Sequence, residues 1–247
     1  MTARSSLAFA CAHLSDERLY AAQIEAIGGD IDCRVFVFRD EDSLGAMAEA
    51  LLAAMPPRFG LVGLSLGGYV AFEVLRRQPE RLQRLALLDT TAVADTPQRR
   101  AGREADMSRV RADGIEALIP ELQDRWLLPA HRARADLVGL MGDMARSVGA
   151  AGQIHQQTAM LARPDSHGDL AAVAVPSLIL CGRQDPVTPL ADHVAMATRI
   201  PGARLEVIED CGHLSTIEQP QAVNRVLVDW LASTAPPGTG RRSASAF

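Results

Sequence analysis

The stretch Phe59-Gly60-Leu61-Val62-Gly63-Leu64-Ser65-Leu66-Gly67-Gly68-Tyr69 decides how this chain folds. Phe59–Leu64 is a short apolar run with the character of a buried strand, and Leu66–Gln78 has helical periodicity that Pro79 stops. Between them lies the pattern G-x-S-x-G. At average glycine and serine usage this pattern arises by chance in roughly one chain in ten to twenty of this length, so the strand–turn–helix setting carries the argument. A turn this sharp needs small neighbours: Gly63 and Gly67 leave room, and Gly68 lets the helix approach the sheet. Ser65 then sits at a helix N-terminus, where the dipole and free N–H groups favour a developing anion. The plain alternative is a glycine-rich turn with a capping serine.

Working outward, apolar runs alternate with amphipathic stretches. Strands are expected at Leu7–Cys11, Arg34–Phe38, Leu85–Leu88, Val175–Cys181 and Leu205–Ile208. Helices are expected at Asp16–Ile27, ended by Gly28-Gly29, and at Ser43–Met55, capped by Ser43 and stopped by Pro56-Pro57. Two more follow at Leu190–Ile200 and Pro220–Ala232. This rhythm implies an α/β fold of about six mostly parallel strands with flanking helices. It breaks over Ala92–Gly168, which has helical periodicity and no convincing strand, and which reads as a helical lid inserted after the strand ending at Leu88. The expected organisation is a core of residues 1–91 and 169–232, a lid of 92–168, and a disordered tail, Ser233–Phe247, rich in Pro, Gly, Ser and Arg. Open α/β sheets put their sites at the carboxyl ends of the strands.

Composition narrows the chemistry. The chain has 247 residues and a formal net charge of -5, which argues against a broad nucleic-acid-binding face. All 25 basic residues are arginine, excluding a Schiff-base lysine, an SxxK pair and a Walker-type lysine, and pointing to a GC-rich bacterial genome. The cysteines Cys11, Cys33, Cys181 and Cys211 have no metal-site spacing and are expected as free thiols. No apolar run is long enough to span a bilayer. Leu7–Ala12 lacks a cleavage site and serves better as a strand, so a cytoplasmic protein is expected.

A serine hydroxyl needs a base within hydrogen-bond reach. Of the six histidines, His131, His155 and His167 lie in the helical insertion and His193 inside a helix, as a surface or packing residue. His213, in Asp210-Cys211-Gly212-His213-Leu214, follows the strand Leu205–Ile208 and so reaches the carboxyl edge of the sheet; the alternative is a structural loop histidine. The base needs an acid to fix its tautomer. Asp185, just after the strand Val175–Cys181, and Asp89, at the end of the strand before the insertion, are the candidates.

Gly63–Tyr69, Leu87–Thr91, Gly182–Pro186 and Glu209–Pro220 resemble the α/β-hydrolase superfamily, and within it the small bacterial lidded serine hydrolases of esterase type. The likeness covers nearly the whole chain except the tail, without the first strand pair of the full fold. It implies the chain order Ser, Asp, His, which favours Asp185 over Asp89. It also implies backbone N–H donors from His13 and Leu66 to a developing oxyanion. Two departures stand out. Cys11-Ala12 occupies the place of the family's His-Gly or Pro-Gly, and the loop Arg39–Asp42 is short; either implies an altered substrate or a weakened enzyme.

The implied reaction is acyl transfer to water from a small ester, thioester or lactone, with no metal or organic cofactor and a small molecule as the only implied partner. Oligomeric state stays open. Related triads also serve C–C hydrolases, amidases, peptidases and perhydrolases. A non-catalytic relative that binds a small apolar ligand under the lid is the reading from another class. Within the lid, Leu118, Trp126, Leu127, Leu128, Leu140, Met141, Met144 and Met160 supply apolar surface. Trp126, Leu127 and Met160 are the expected pocket wall.

Overall fold

Two-sided burial builds the sheet. In the computed structural model, which describes residues 5–233, six strands pair in parallel: β1 (Ser6–Ala10), β2 (Asp32–Phe36), β3 (Phe59–Leu64), β4 (Leu82–Leu88), β5 (Ser177–Gly182) and β6 (Arg204–Ile208). Their spatial order is β2-β1-β3-β4-β5-β6. The helices are α1 (Ala21–Ile27), α2 (Leu44–Ala54), α3 (Leu66–Arg77), α4 (Pro97–Asp113), α5 (Ile119–Trp126), α6 (Ala135–Leu161), α7 (Leu190–Arg199), α8 (Ser215–Glu218) and α9 (Pro220–Ala232). Alternate residues serve opposite faces. Phe9, Val62, Leu64, Leu88 and Leu180 pack with Val223, Leu227 and Trp230 of α9. Ala8, Leu61, Leu85 and Ile179 pack with Met47 and Leu51 of α2, Val70 and Phe72 of α3 and Met196 of α7. Helices on both sides explain why the central strands read as near-continuous apolar runs.

Several boundaries differ from those expected, each for a reason of pairing. The edge strand β2 lies two residues before the apolar run 34–38. Its ladder with β1 ends at Ala10 and Phe36, after which Phe38 is buried against the α2 side instead. β4 starts at Leu82, because β3 pairs with it from Phe59 onward in spite of the polar Gln83 and Arg84. β5 starts only at Ser177, after Pro176, which has no N–H to give a ladder. The stretch 16–27 is split: Asp16 caps a short 3-10 turn, Glu17–Tyr20, before α1. The tail expected over 233–247 lies, from residue 234, outside the described residues.

Between β4 and β5 run α4, α5 and α6, and α6 is interrupted at Gly149, whose φ is 75°. Gln156 of α6 ties this segment to the carboxyl edge. Its Oε1 accepts from the Leu14 N–H (2.9 Å) in the loop after β1, and its Nε2 donates to the Phe38 carbonyl (2.6 Å) after β2. No helix among the described residues is long and apolar enough to cross a membrane.

The strand order reverses between β1 and β3, the position where such sheets open a crevice. There the turn after β3 presses against β1. A Cβ on Gly67 would collide with the Ala10 carbonyl, and one on Gly63 with the Gly67 carbonyl. Gly67→Ala is therefore expected to cost about 1–3 kcal/mol of stability, read as a lower urea midpoint at constant slope; an unchanged midpoint would show that the turn has slack.

Candidate active site

Ser65 follows β3 with φ 52° and ψ -109°, a conformation a β-carbon disfavours. Its surroundings enforce it. The Ser65 N–H donates to the Leu88 carbonyl (3.0 Å), while the Ser65 carbonyl accepts from the Gly68 N–H (2.9 Å) and from Thr90 Oγ1 (2.9 Å). Thr90 also sits where a side chain on Gly68 would be. The hydroxyl is thereby held at the first turn of α3.

His213 and Asp185 meet it from the loops after β6 and β5. His213 Nε2 is 3.0 Å from Ser65 Oγ, and His213 Nδ1 is 2.8 Å from Asp185 Oδ2. Asp185 is fixed by the N–H groups of Val187 (2.7 Å) and Thr188 (3.0 Å) on Oδ1 and by Thr188 Oγ1 (2.6 Å) on Oδ2. With Asp185 an acceptor only, Nδ1 carries the hydrogen and Nε2 is left to accept from the serine. The two loops are also joined to each other: Gln184 N–H donates to the Cys211 carbonyl (3.0 Å), and Cys211 N–H to Gln184 Oε1 (3.0 Å).

Electrostatics follow from this burial. Desolvation alone would lower the pKa of His213, but the charge and hydrogen bond of Asp185, with Asp89 and Glu218 behind it, raise it above the ordinary value. Desolvation would raise Asp185, but His213 and the Thr188 bonds hold it below the ordinary range. The raised histidine contributes stability below its unfolded pKa of about 6.5, lost as pH climbs through the folded value. The depressed carboxyl contributes above about 3.9, lost as pH falls through its folded value.

Asp89, the rival acid, does not face the imidazole. It stands at φ 42°, and its oxygens accept from the Gly182 N–H (3.0 Å) and from Ser215 N–H (3.1 Å) and Oγ (2.5 Å). It joins the start of the acid loop to the residues just beyond His213. Burial first, and then the charge of Asp185, push its carboxyl up to about 8. The remaining histidines have other duties. His193 is a buried packing residue whose Nε2 accepts from the Thr90 N–H (3.1 Å). His155 Nδ1 meets the Arg39 carbonyl (2.9 Å), and His167 pairs with Asp165. His131 Nδ1 meets Glu218 Oε2 (2.8 Å), and the same buried carboxylate accepts from Leu128 N–H (2.9 Å) and Leu214 N–H (3.1 Å).

A cleft of about 60 Å³ opens on Ser65 and His213, with His13, Trp126 and Met160 in its wall. Tyr69 and Arg103 line it as well, though neither was singled out in the sequence: one arginine among many on a polar helix gives no local signal. Leu127, expected in the wall, does not line the cleft. It is almost fully buried and packs in the core cluster instead. The His13 and Leu66 amides donate to no acceptor within the described residues. The His13 ring meets Trp126 edge-on, with centroids 5.9 Å apart.

Residues 13–226 match a family described as the alpha/beta hydrolase family. The chain is 30% identical over 189 residues to 3-oxoadipate enol-lactonase 2 of Acinetobacter baylyi, an overlap of 75% of this chain and 68% of the relative. It is 28% identical over 214 residues to a pimeloyl-(acyl-carrier protein) methyl ester esterase of Nitrosomonas europaea, 83% of this chain and 81% of that one. A malate-bound thermophilic esterase from Thermogutta terrifontis superposes with a TM-score of 0.84 at 30% identity, covering 92% of this chain and 89% of the other.

The His213 imidazole, followed by NMR against pH, is expected to titrate above about 6.5 and to drop below that in Asp185→Asn. A midpoint indifferent to the substitution would mean that Asp185 does not hold the Nδ1 proton.

Proposed function

Since the chain belongs to the alpha/beta hydrolase family and is an ester hydrolase, we propose that it cleaves a small carboxylic ester, thioester or lactone through an acyl-enzyme on Ser65. The observation that carries this reading is the unbroken line from Ser65 Oγ to His213 Nε2 (3.0 Å) and from His213 Nδ1 to Asp185 (2.8 Å). In it the serine oxygen attacks the carbonyl carbon while its proton passes to Nε2. The imidazolium is stabilised by Asp185, and the proton then goes to the leaving oxygen or sulfur. Water, deprotonated by the same nitrogen, attacks the acyl carbon and frees the acid. The free amides of His13 and Leu66 are the donors we assign to the tetrahedral oxyanion. Residues 92–168 serve as the lid, with Trp126 and Met160 facing the acyl group. The reading includes a cytoplasmic location, which four unpaired cysteines favour.

Ser65→Ala is expected to remove turnover of p-nitrophenyl esters and labelling by a fluorophosphonate while the protein stays folded, a loss of several orders of magnitude because the three residues act as a unit. Asp185→Asn should slow the enzyme by roughly 10⁴-fold, and Asp89→Asn far less; the reverse ranking would reassign the acid. Hydrolysis by a clean, folded Ser65→Ala protein would end the proposal.

The rate should rise with pH as His213 loses its proton, with a midpoint above the ordinary histidine value. Trp126→Ala should alter the preference among acyl chain lengths more than it alters stability. An unchanged chain-length profile would take Trp126 out of the pocket wall.

A further inference from the structure

Beside the cleft, two arginines share one carboxylate. Asp95, with 1% of its side chain exposed, accepts from Arg103 Nε at 2.5 Å and from Arg163 Nη2 at 2.7 Å. The Arg163 side chain is 3% exposed and its guanidinium lies over the Tyr69 ring, 4.1 Å from the centroid. Arg103 reaches the cleft itself. The cluster therefore holds two positive charges against one negative. The neighbouring network differs: there Arg109 and Arg125 are matched by Asp106 and Glu121. With the Arg163 side chain 3% and the Arg103 side chain 18% exposed, the surplus charge is only partly hydrated, and an anion joining it would offset that cost.

Arg103 also has donor capacity to spare. Its Nη1 is taken by Gln157 Oε1 (2.9 Å) and by the weak acceptor Met160 Sδ (3.1 Å), whereas Nη2 makes a single long bond to Asp95 (3.4 Å). In the same cleft His13 Nε2 is buried without a partner. Burial first, then the charges of Arg103 and Arg125, drive the His13 pKa down to about 3, so the ring is neutral and adds no charge of its own. The cleft, about 60 Å³, has room for a small group beside Ser65. A carboxylate is planar like the guanidinium edge and is the smallest organic anion that can pair with it.

We propose that Arg103 is a specificity residue that receives a free carboxylate on the substrate, so that the preferred substrate is an acid as well as an ester. The proposal rests on the hydrolase reading above. The carboxylate would take the remaining Nη2 N–H and neutralise the surplus charge, while the ester carbonyl lies at Ser65. A neutral ester of the same length leaves the charge uncompensated.

The test compares the monoethyl and diethyl esters of succinic, glutaric and adipic acids, which share a leaving group and differ in the free acid. At the best-fitting length the wild-type kcat/KM for the monoester should exceed that for the diester by roughly tenfold or more. Arg103→Gln should bring the ratio close to unity, and Arg103→Lys should restore part of it. The ratio is insensitive to a general loss of folded enzyme. A wild-type ratio near unity, or one that Arg103→Gln leaves intact, overturns the proposal and spares the hydrolase reading.

Calorimetric binding to Ser65→Ala separates the two ideas in the other direction. If wild type cleaves neither these esters nor p-nitrophenyl esters and takes no fluorophosphonate label, yet Ser65→Ala protein binds the monoester more tightly than the diester in an Arg103-dependent way, the Ser65 acyl-enzyme reading fails and the carboxylate site stands. Equal binding of both in that case removes the site too. Ethyl 3-phosphonopropionate is the control for anion type, and its preference over monoethyl succinate would overturn the carboxylate assignment.

Discussion

The close approach of the turn after β3 to the carbonyl edge of β1 is the constraint from which the site grows. With Gly63 and Gly67 leaving no space for side chains, the chain can leave β3 and enter α3 only by driving Ser65 to a positive φ. The same stress recurs along the edge. Leu14 after β1, Asp89 after β4 and Asp210 after β6 all have positive φ without being glycine. Such strain persists only where packing over-determines the backbone, and here it lies along the carboxyl ends of the strands. The sheet thus acts as a rigid rim that aims side chains across its mouth.

Charge is distributed unevenly around that mouth. Asp89, Asp185 and Glu218 surround the His213 side and favour a positive imidazole, while Arg103 and Arg163 outnumber Asp95 on the other. Neutral His13 lines the same cleft. A molecule entering the cleft meets the His213 imidazole beside Ser65 and the Arg103 guanidinium of α4. An anionic group on a ligand would be drawn toward α4 rather than toward the carboxylates behind the imidazole.

The sequence was most readable where local chemistry and topology agree. A glycine-flanked serine between an apolar run and an amphipathic helix can be found without coordinates, and so can a histidine and an aspartate that each follow a late strand. β3 and α9 have the limits their patterns imply. What could not be read depends on neighbours distant in the chain. The start of β4 is set by the partner strand rather than by its own polar residues. The exclusion of Leu127 from the cleft follows from its burial in the core cluster, among residues distant in the chain. Arg103 gains its meaning only from Asp95, eight positions earlier, and from Arg163, which is sixty residues away. Asp89 looked like a rival acid because position along the edge does not reveal which way a carboxylate turns; Gly182 and Ser215 decide that.

Glu218 has a mechanical consequence. One buried carboxylate grips Leu128 and His131 of the helical segment and Leu214 beside the base, while the His213 N–H holds the Trp126 carbonyl at 2.8 Å. Lifting residues 126–131 would strand a buried anion with a single donor and drag on the imidazole at once. That end of the segment is therefore a fulcrum. Breathing that admits a ligand while keeping His213 in register has to pivot there and open elsewhere.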